Sequence, residues 1–318
     1  MGIRRRRPVL DADAARRLLR SLADERAGVL ARREVFSRGV PRWVVRLELR
    51  MRRWQSAGRQ TFVTHNGPLT AEQKRVVAVL ETGPRAAIDG VSALQHLGVD
   101  VDDDGRVHVI APKGSNPVHP AGVRVHESRR FREADVTVVD GVRVVRAAPA
   151  GVHAALWART DREAQLLLLI VVQKGLARPE ELAQAAAAVR RSKRRRLIGE
   201  LVLDLLGGVR SLGELDVARA LRSRGLPEPS RQVLRKRPSG SQYLDCRFDD
   251  YHLTVEIDGI QHSDPLQVLS DLLRDLALVS EGDTVLRLPL VAWRLGEAQV
   301  LDALEAVFAS RGWVKPAA

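Results

Sequence analysis

The chain has 318 residues, with 52 Lys+Arg against 39 Asp+Glu and a formal net charge of +13. Hydrophobic residues make up 45%, which supports a buried core and excludes wholesale disorder, and the length suggests two or three domains. The one cysteine, Cys246, excludes a disulfide framework and a cysteine-based zinc finger. No apolar run approaches the ~18 residues of a membrane span. No apolar stretch follows the N-terminal arginines, so they do not begin a secretory signal. These features predict a soluble, cytoplasmic protein without a membrane partner. Its excess positive charge points to an anionic partner, with nucleic acid the first candidate.

The charge is unevenly placed. Residues 1–64 hold 17 Arg and six acidic residues, and residues 65–185 are balanced. A short run, VRRSKRRR at 189–196, is strongly basic, while residues 211–318 carry 13 basic and 16 acidic residues. Abundant arginine by itself does not account for its concentration in the first fifth of the chain.

Residues 10–26 predict a helix with Leu18, Leu19, Leu22 and Ala23 on one face. A short helix over 31–39, stopped by Gly39, and a second over 41–51 with Pro41 at its start make a helix-turn-helix pattern. Arg42, Arg46, Arg50 and Arg53 recur at three- to four-residue spacing and share a face. Such a stripe could meet phosphates and guanine edges, or could be a solvated face. Residues 52–70 read as a β-hairpin wing with Ser56-Ala57-Gly58 at its tip, which adds Arg59 to the candidate DNA contacts.

Residues 70–82 predict a helix capped by Thr70, and residues 85–97 a second helix. VDDDG at 101–105 is a turn, 106–112 and 122–128 alternate as strands, and 136–148 is a hairpin turning at Asp140-Gly141. Residues 151–175 are helical with a break near Thr160. His96, His108, His119, His126 and His153 lack metal-site spacing, so scattered surface histidines are favoured over a zinc site. A further helix, PEELAQAAAAVRR, leads into the basic run, which could touch a phosphate backbone or form a solvated helix face.

From residue 211 the predicted order is α-β-β-β-α-β-α, with helices near 212–224, 266–280 and 297–310. The strands fall near 230–236, 242–248, 251–258 and 284–290. If Asp249-Asp250 is a tight two-residue turn, Phe248 faces Tyr251, Asp245 faces Thr254 and Tyr243 faces Glu256. Alternation then puts Asp245, Glu256 and Asp258 on one sheet face. Leu244, Cys246, Phe248, Leu253, Val255 and Ile257 fall on the other. Carboxylates this close need a cation, and an oxygen-rich cluster suits Mg²⁺ or Mn²⁺; the alternative is a solvated strand face.

Two resemblances bear on these segments. VFSRGVPRWVVR (35–46) and RRWQSAGRQTFV (52–63) resemble the winged-helix module of the AbiEi antitoxin family, which implies DNA binding and, as a further partner, a cognate toxin protein. SLGE (211–214), GLPEPSRQ (225–232), YLD (243–245), VEIDGIQH (255–262), DLLRD (271–275) and TVLR (284–287) resemble, in this order, the motifs of a Vsr-like domain. Such domains have the PD-(D/E)xK restriction-endonuclease fold. That resemblance implies metal-dependent phosphodiester cleavage. Glu214, Asp245 and Glu256 would be the carboxylates holding Mg²⁺ or Mn²⁺, and Asp258 would stand at the usual lysine position. His262 would act as a general base or orient phosphate, and Arg274 would pair with Asp258 or contact the scissile phosphate.

The expectation is therefore a mixed, multidomain α/β protein. It has a winged helix-turn-helix over 1–69, an α/β connector over 70–210 and a restriction-endonuclease-like αβββαβ core over 211–318. The leading functional expectation is a DNA-binding protein with an endonuclease-like C-terminal domain. The alternative is a non-enzymatic transcriptional regulator of the antitoxin type with a degenerate nuclease fold.

Overall fold

The computed structural model describes residues 9–207, 214–236, 242–258, 268–269, 272–273, 276 and 284–315. The protein is a mixed α/β chain with three sheets among the described residues. It divides into two compact units, residues 1–150 and 151–318. Among the described residues no helix is long and apolar enough to cross a membrane.

The first unit begins with α1 (Ala12–Asp24), whose N-terminus is capped where the Ala14 amide donates to the Asp11 carboxylate at 2.7 Å. There follow β1 (Val29–Ala31), α2 (Arg32–Ser37), α3 (Arg42–Arg50), β2 (Gln55–Ser56) and β3 (Thr61–Val63). The strands form an antiparallel sheet in the order β1-β3-β2, in which Phe62 faces Leu30 on one side and Ser56 on the other. Leu19, Leu22, Leu30, Val35, Val44, Val45 and Phe62 pack as one core. The members from α1 and α3 recur at helical spacing, so burial of that stripe orients both helices.

Strand β1 is absent from the sequence reading. Ala27 takes a left-handed φ of 51°, turning the chain out of α1, and the Thr64 amide then donates to the Gly28 carbonyl at 3.0 Å. Three paired residues are too few to display an alternating pattern.

The unit continues through α4 (Ala71–Thr82), which Thr70 and Gln73 close with a reciprocal capping box at 3.1 and 3.0 Å. Next come β4 (Ala87–Ile88), α5 (Gly90–His96), β5 (Val107–Pro112), β6 (Val123–Ser128), β7 (Val136–Val139) and β8 (Val142–Val145). Their sheet runs β6-β5-β4-β8-β7, and the β7–β8 turn falls at Asp140-Gly141, both with positive φ. The helix expected over 85–97 is corrected to β4 plus α5. The carboxylate of buried Asp89 accepts from the Gly90 amide at 2.7 Å and marks the point where the helix starts. The two residues of β4 are buried between β5 and β8, so their apolar run carries no period that separates strand from helix.

The expectation of scattered surface histidines is also corrected. His119 is exposed, but His96, His108 and His153 are buried at their side chains. His108 and His126 stand on the neighbouring strands β5 and β6 with ring centroids 5.1 Å apart. His108 Nε2 lies 3.2 Å from Asp104, which also pairs with Arg124 at 3.3 Å. Partial burial pushes the Asp104 carboxyl up, yet the hydrogen bond with His108, the His108 charge and Arg124 outweigh it and hold that group below its ordinary value.

Helix α6 (Ala147–Trp157) spans the division between the units. The second unit continues with α7 (Asp161–Gln173), capped by Thr160 where a break was expected, then α8 (Pro179–Ala187) and α9 (Arg195–Gly207). The basic run does not extend α8, which ends at Ala187: residues 188–194 connect the two helices, and Arg195 and Arg196 open α9. Arg194 pairs with Asp161 at 2.8 Å and Arg196 with Glu200 at 2.7 Å.

After α10 (Glu214–Ser223) come β9 (Arg231–Lys236), β10 (Gln242–Phe248), β11 (Leu253–Asp258), β12 (Thr284–Pro289) and α11 (Leu290–Ser310). The sheet order is β12-β11-β10-β9, with β11 and β12 parallel and the other pairs antiparallel. Leu269, Leu272 and Leu276, within the helix expected over 266–280, are helical and buried. Helix α11 starts earlier than the expected 297 and is interrupted at Gly296.

One face of this sheet is apolar. Leu244, Cys246, Phe248, Leu253, Val255 and Ile257 are all buried, and the rings of Phe248 and Tyr251 meet Phe308 of α11 edge-on at 5.0 and 5.3 Å. Burial, with the charge of Asp245 beside it, pushes the Cys246 thiol up to about 12. The folded protein is therefore expected to react with an aromatic disulfide reagent at pH 8 only after addition of denaturant. Rapid labelling of the native chain would contradict that packing.

Candidate functional site

Two surfaces carry the residues singled out by sequence, one in each unit. In the first, Arg42, Arg46 and Arg50 lie along α3, and all three are exposed. None of the three has a carboxylate within ion-pair distance among the described residues. The Arg42 guanidinium lies 4.8 Å from the Phe36 ring centroid, which steadies the start of the stripe. Arg53 differs from these three. Helix α3 ends at Arg50, Arg52 takes a φ of 52°, and Arg53 folds back onto Glu48 with hydrogen bonds of 2.6 and 3.0 Å. That hydrogen bonding and the Glu48 charge raise Arg53 above the ordinary arginine value. Its charge is thus already met on the surface.

Arg59 lies in the 57–60 turn between β2 and β3, with its side chain exposed. The turn is held from beneath by a residue that sequence reasoning passed over. Glu81, near the C-terminus of α4, is only 8% exposed. Its carboxylate accepts from the Arg59 amide at 3.0 Å, the Gln60 amide at 2.7 Å and the Thr61 hydroxyl at 2.7 Å. Three donors converging on one buried carboxylate satisfy its charge, as a backbone nest does for an anion. Gly58 completes the cradle, because a Cβ there would lie 2.3 Å from the Glu81 carboxyl carbon. Glu81 thus fixes the height and direction of the turn that displays Arg59. The only sequence signal was a Glu among the apolar residues at the end of α4, 20 to 22 residues from its partners.

On the second unit the expected tight turn is corrected. Residues 249–251 form a short 3-10 turn and His252 takes a left-handed φ of 49°, so Phe248 pairs with Leu253 rather than Tyr251. The shift is two residues, which preserves the face of every side chain. Asp245 now stands directly opposite Glu256, and Tyr243 opposite Asp258.

Asp245 and Glu256 are 12% and 18% exposed at their side chains. Each is flanked by an arginine from an outer strand: Arg235 Nε lies 2.6 Å from Asp245, and Arg287 Nε lies 3.5 Å from Glu256. Across the sheet, two arginines therefore bracket the two carboxylates. The cation that the carboxylates required is supplied, at least in part, by protein side chains. Arg247 on the same face donates to Asp249 and to the Thr254 hydroxyl.

Glu214 opens α10 and Asp258 closes β11, but their side chains lie outside the described residues, as do His262 and Arg274. Among the described residues no three His, Cys, Asp or Glu side chains are grouped to hold a metal ion. The oxygen donors of Asp245 and Glu256 suit a hard cation chemically, though Arg235 would have to yield its place on Asp245.

Comparison of the sequence with models of known protein families gives no match, and neither does comparison with curated proteins.

Proposed function

We propose that the protein binds duplex DNA through its N-terminal module. The observation that carries this reading is the stripe of Arg42, Arg46 and Arg50 on α3, without carboxylate partners among the described residues. The order α1-β1-α2-α3-β2-β3 with sheet order β1-β3-β2 supports assigning a winged helix-turn-helix, with α3 as recognition helix and the 57–60 turn as the wing tip. In this reading α3 enters the major groove, its arginines meet phosphates and guanine edges, and Arg59 reaches an adjacent phosphate. A mobility-shift titration tests it: Arg46→Ala should weaken binding across all sequences, and an unchanged isotherm would remove α3 from the interface.

Residues 211–318 are proposed as an endonuclease-like domain in which Asp245 and Glu256, with Glu214, would hold Mg²⁺ or Mn²⁺, and Asp258 would stand at the usual lysine position. When bound, such an ion supplies Lewis-acid activation of water and neutralises charge developing on a phosphodiester. Arg287 would then be placed to meet the phosphate, since it is largely exposed beside Glu256. The Arg235–Asp245 pair favours a second reading, in which the fold is a non-enzymatic scaffold in a transcriptional regulator of the antitoxin type with a toxin protein as partner. A plasmid-nicking assay with Mn²⁺ separates the two. Catalysis predicts nicking by the wild type and roughly a hundredfold loss or more in Glu256→Ala. Equal inactivity of both proteins, with DNA binding intact, selects the scaffold.

A further inference from the structure

We infer that Trp43 is a base-reading residue of α3, making apolar contact with the C5-methyl group of thymine in the major groove. This rests on the DNA reading of α3 and deepens it. Trp43 is 54% exposed, whereas Trp293 is fully buried and Trp54 packs against the N-terminal core. A large aromatic left in water on a short helix is the informative kind of exception to burial, because its exposed apolar surface contributes little to the fold.

Its place is specific. Trp43 sits in the first turn of α3, three residues before Arg46 and seven before Arg50, so it borders the arginine stripe on the same side of the helix. The first turn of a recognition helix is the part that meets base edges. An anionic partner that also offers an apolar feature fits this pairing of indole with guanidinium. In the major groove that feature is the thymine methyl, set among hydrogen-bond donors and acceptors. The arginines would hold the helix on the backbone, and the indole would discriminate among sequences.

The test uses the full chain. Duplexes retained by the wild type are selected from a random-sequence pool at low salt, and each thymine of the selected site is replaced in turn by deoxyuridine, which removes only the methyl. Fluorescence anisotropy is expected to show a roughly fivefold weaker Kd for wild type at one or two positions. Trp43→Ala should bind the thymine and uracil duplexes equally while keeping the wild-type salt dependence, and Trp43→Phe should recover part of the discrimination. Wild-type binding indifferent to every replacement, or discrimination retained by Trp43→Ala, overturns the inference. So does competition by polyglutamate as strong as by DNA at equal charge, which would assign the face to an acidic protein. If the wild type shifts no duplex at low salt, it is the DNA reading of α3 that fails.

Discussion

Replacing Glu81 by alanine is expected to lower stability by about 3–5 kcal/mol. The Arg59 and Gln60 amides and the Thr61 hydroxyl would be deprived of their shared acceptor. Each buried donor left unsatisfied costs about 1–3 kcal/mol, partly recovered where water enters. For a unit of this size that corresponds to a fall in Tm of about 10 °C, measured by thermal unfolding followed by circular dichroism. Gly58→Ala should act in the same direction, because the new methyl group would collide with the Glu81 carboxylate, which its three hydrogen bonds hold in place. Glu81→Gln keeps an acceptor but gives up the charge, so it should fall between wild type and alanine. If Glu81→Ala unfolds at the wild-type temperature, the cradle does not hold the 57–60 turn.

The second large effect is expected on binding. Changing Arg42, Arg46 and Arg50 together to alanine should weaken duplex DNA binding by about a hundredfold or more at about 0.1 M salt. It should also flatten the dependence of log K on log salt by roughly 0.9 for each phosphate that is no longer neutralised. Because all three side chains lie on the surface and lack carboxylate partners among the described residues, stability should change little. Arg53→Ala provides the contrast. Its guanidinium is already engaged by Glu48, so its removal should affect DNA binding far less than removal of Arg46. A triple variant that binds with the wild-type salt slope would place the interface elsewhere.

Much of the first unit was legible because its helices are amphipathic and bounded by residues with local roles. The apolar stripe of α1, the Thr70 cap and the Asp140-Gly141 turn each act within a few residues of the chain. Strands β1 and β4 were not legible, since two or three residues form no period and their partners lie far along the sequence. In the C-terminal sheet, alternation placed Asp245 and Glu256 on one face correctly, even though the turn differed, because the register moved by an even number of residues. What alternation does not report is who neutralises them. Arg235 and Arg287 come from outer strands, and their proximity depends on strand order and register. Glu81 is the same case: its three partners belong to a turn 20 to 22 residues earlier, and no local pattern links them. Trp43 was hidden differently, because an aromatic beside Val44 and Val45 reads as core until the helix is seen to turn it outward.

The net charge of +13 becomes informative only through its placement. It is concentrated in the module that presents α3, while the sheet bearing Asp245 and Glu256 sets arginines beside its carboxylates. The proposed association with DNA is thus assigned to the first unit, and the second is judged on its carboxylates alone.

The most direct measurement is the affinity of the full chain for a duplex of about 30 base pairs as salt is raised from about 50 to about 300 mM. Docking through Arg42, Arg46, Arg50 and Arg59 predicts a log–log slope of roughly −3 to −4, with binding strongest at the low-salt end. A slope near zero, or no binding at the lowest salt, would contradict docking of DNA on α3 and the 57–60 turn.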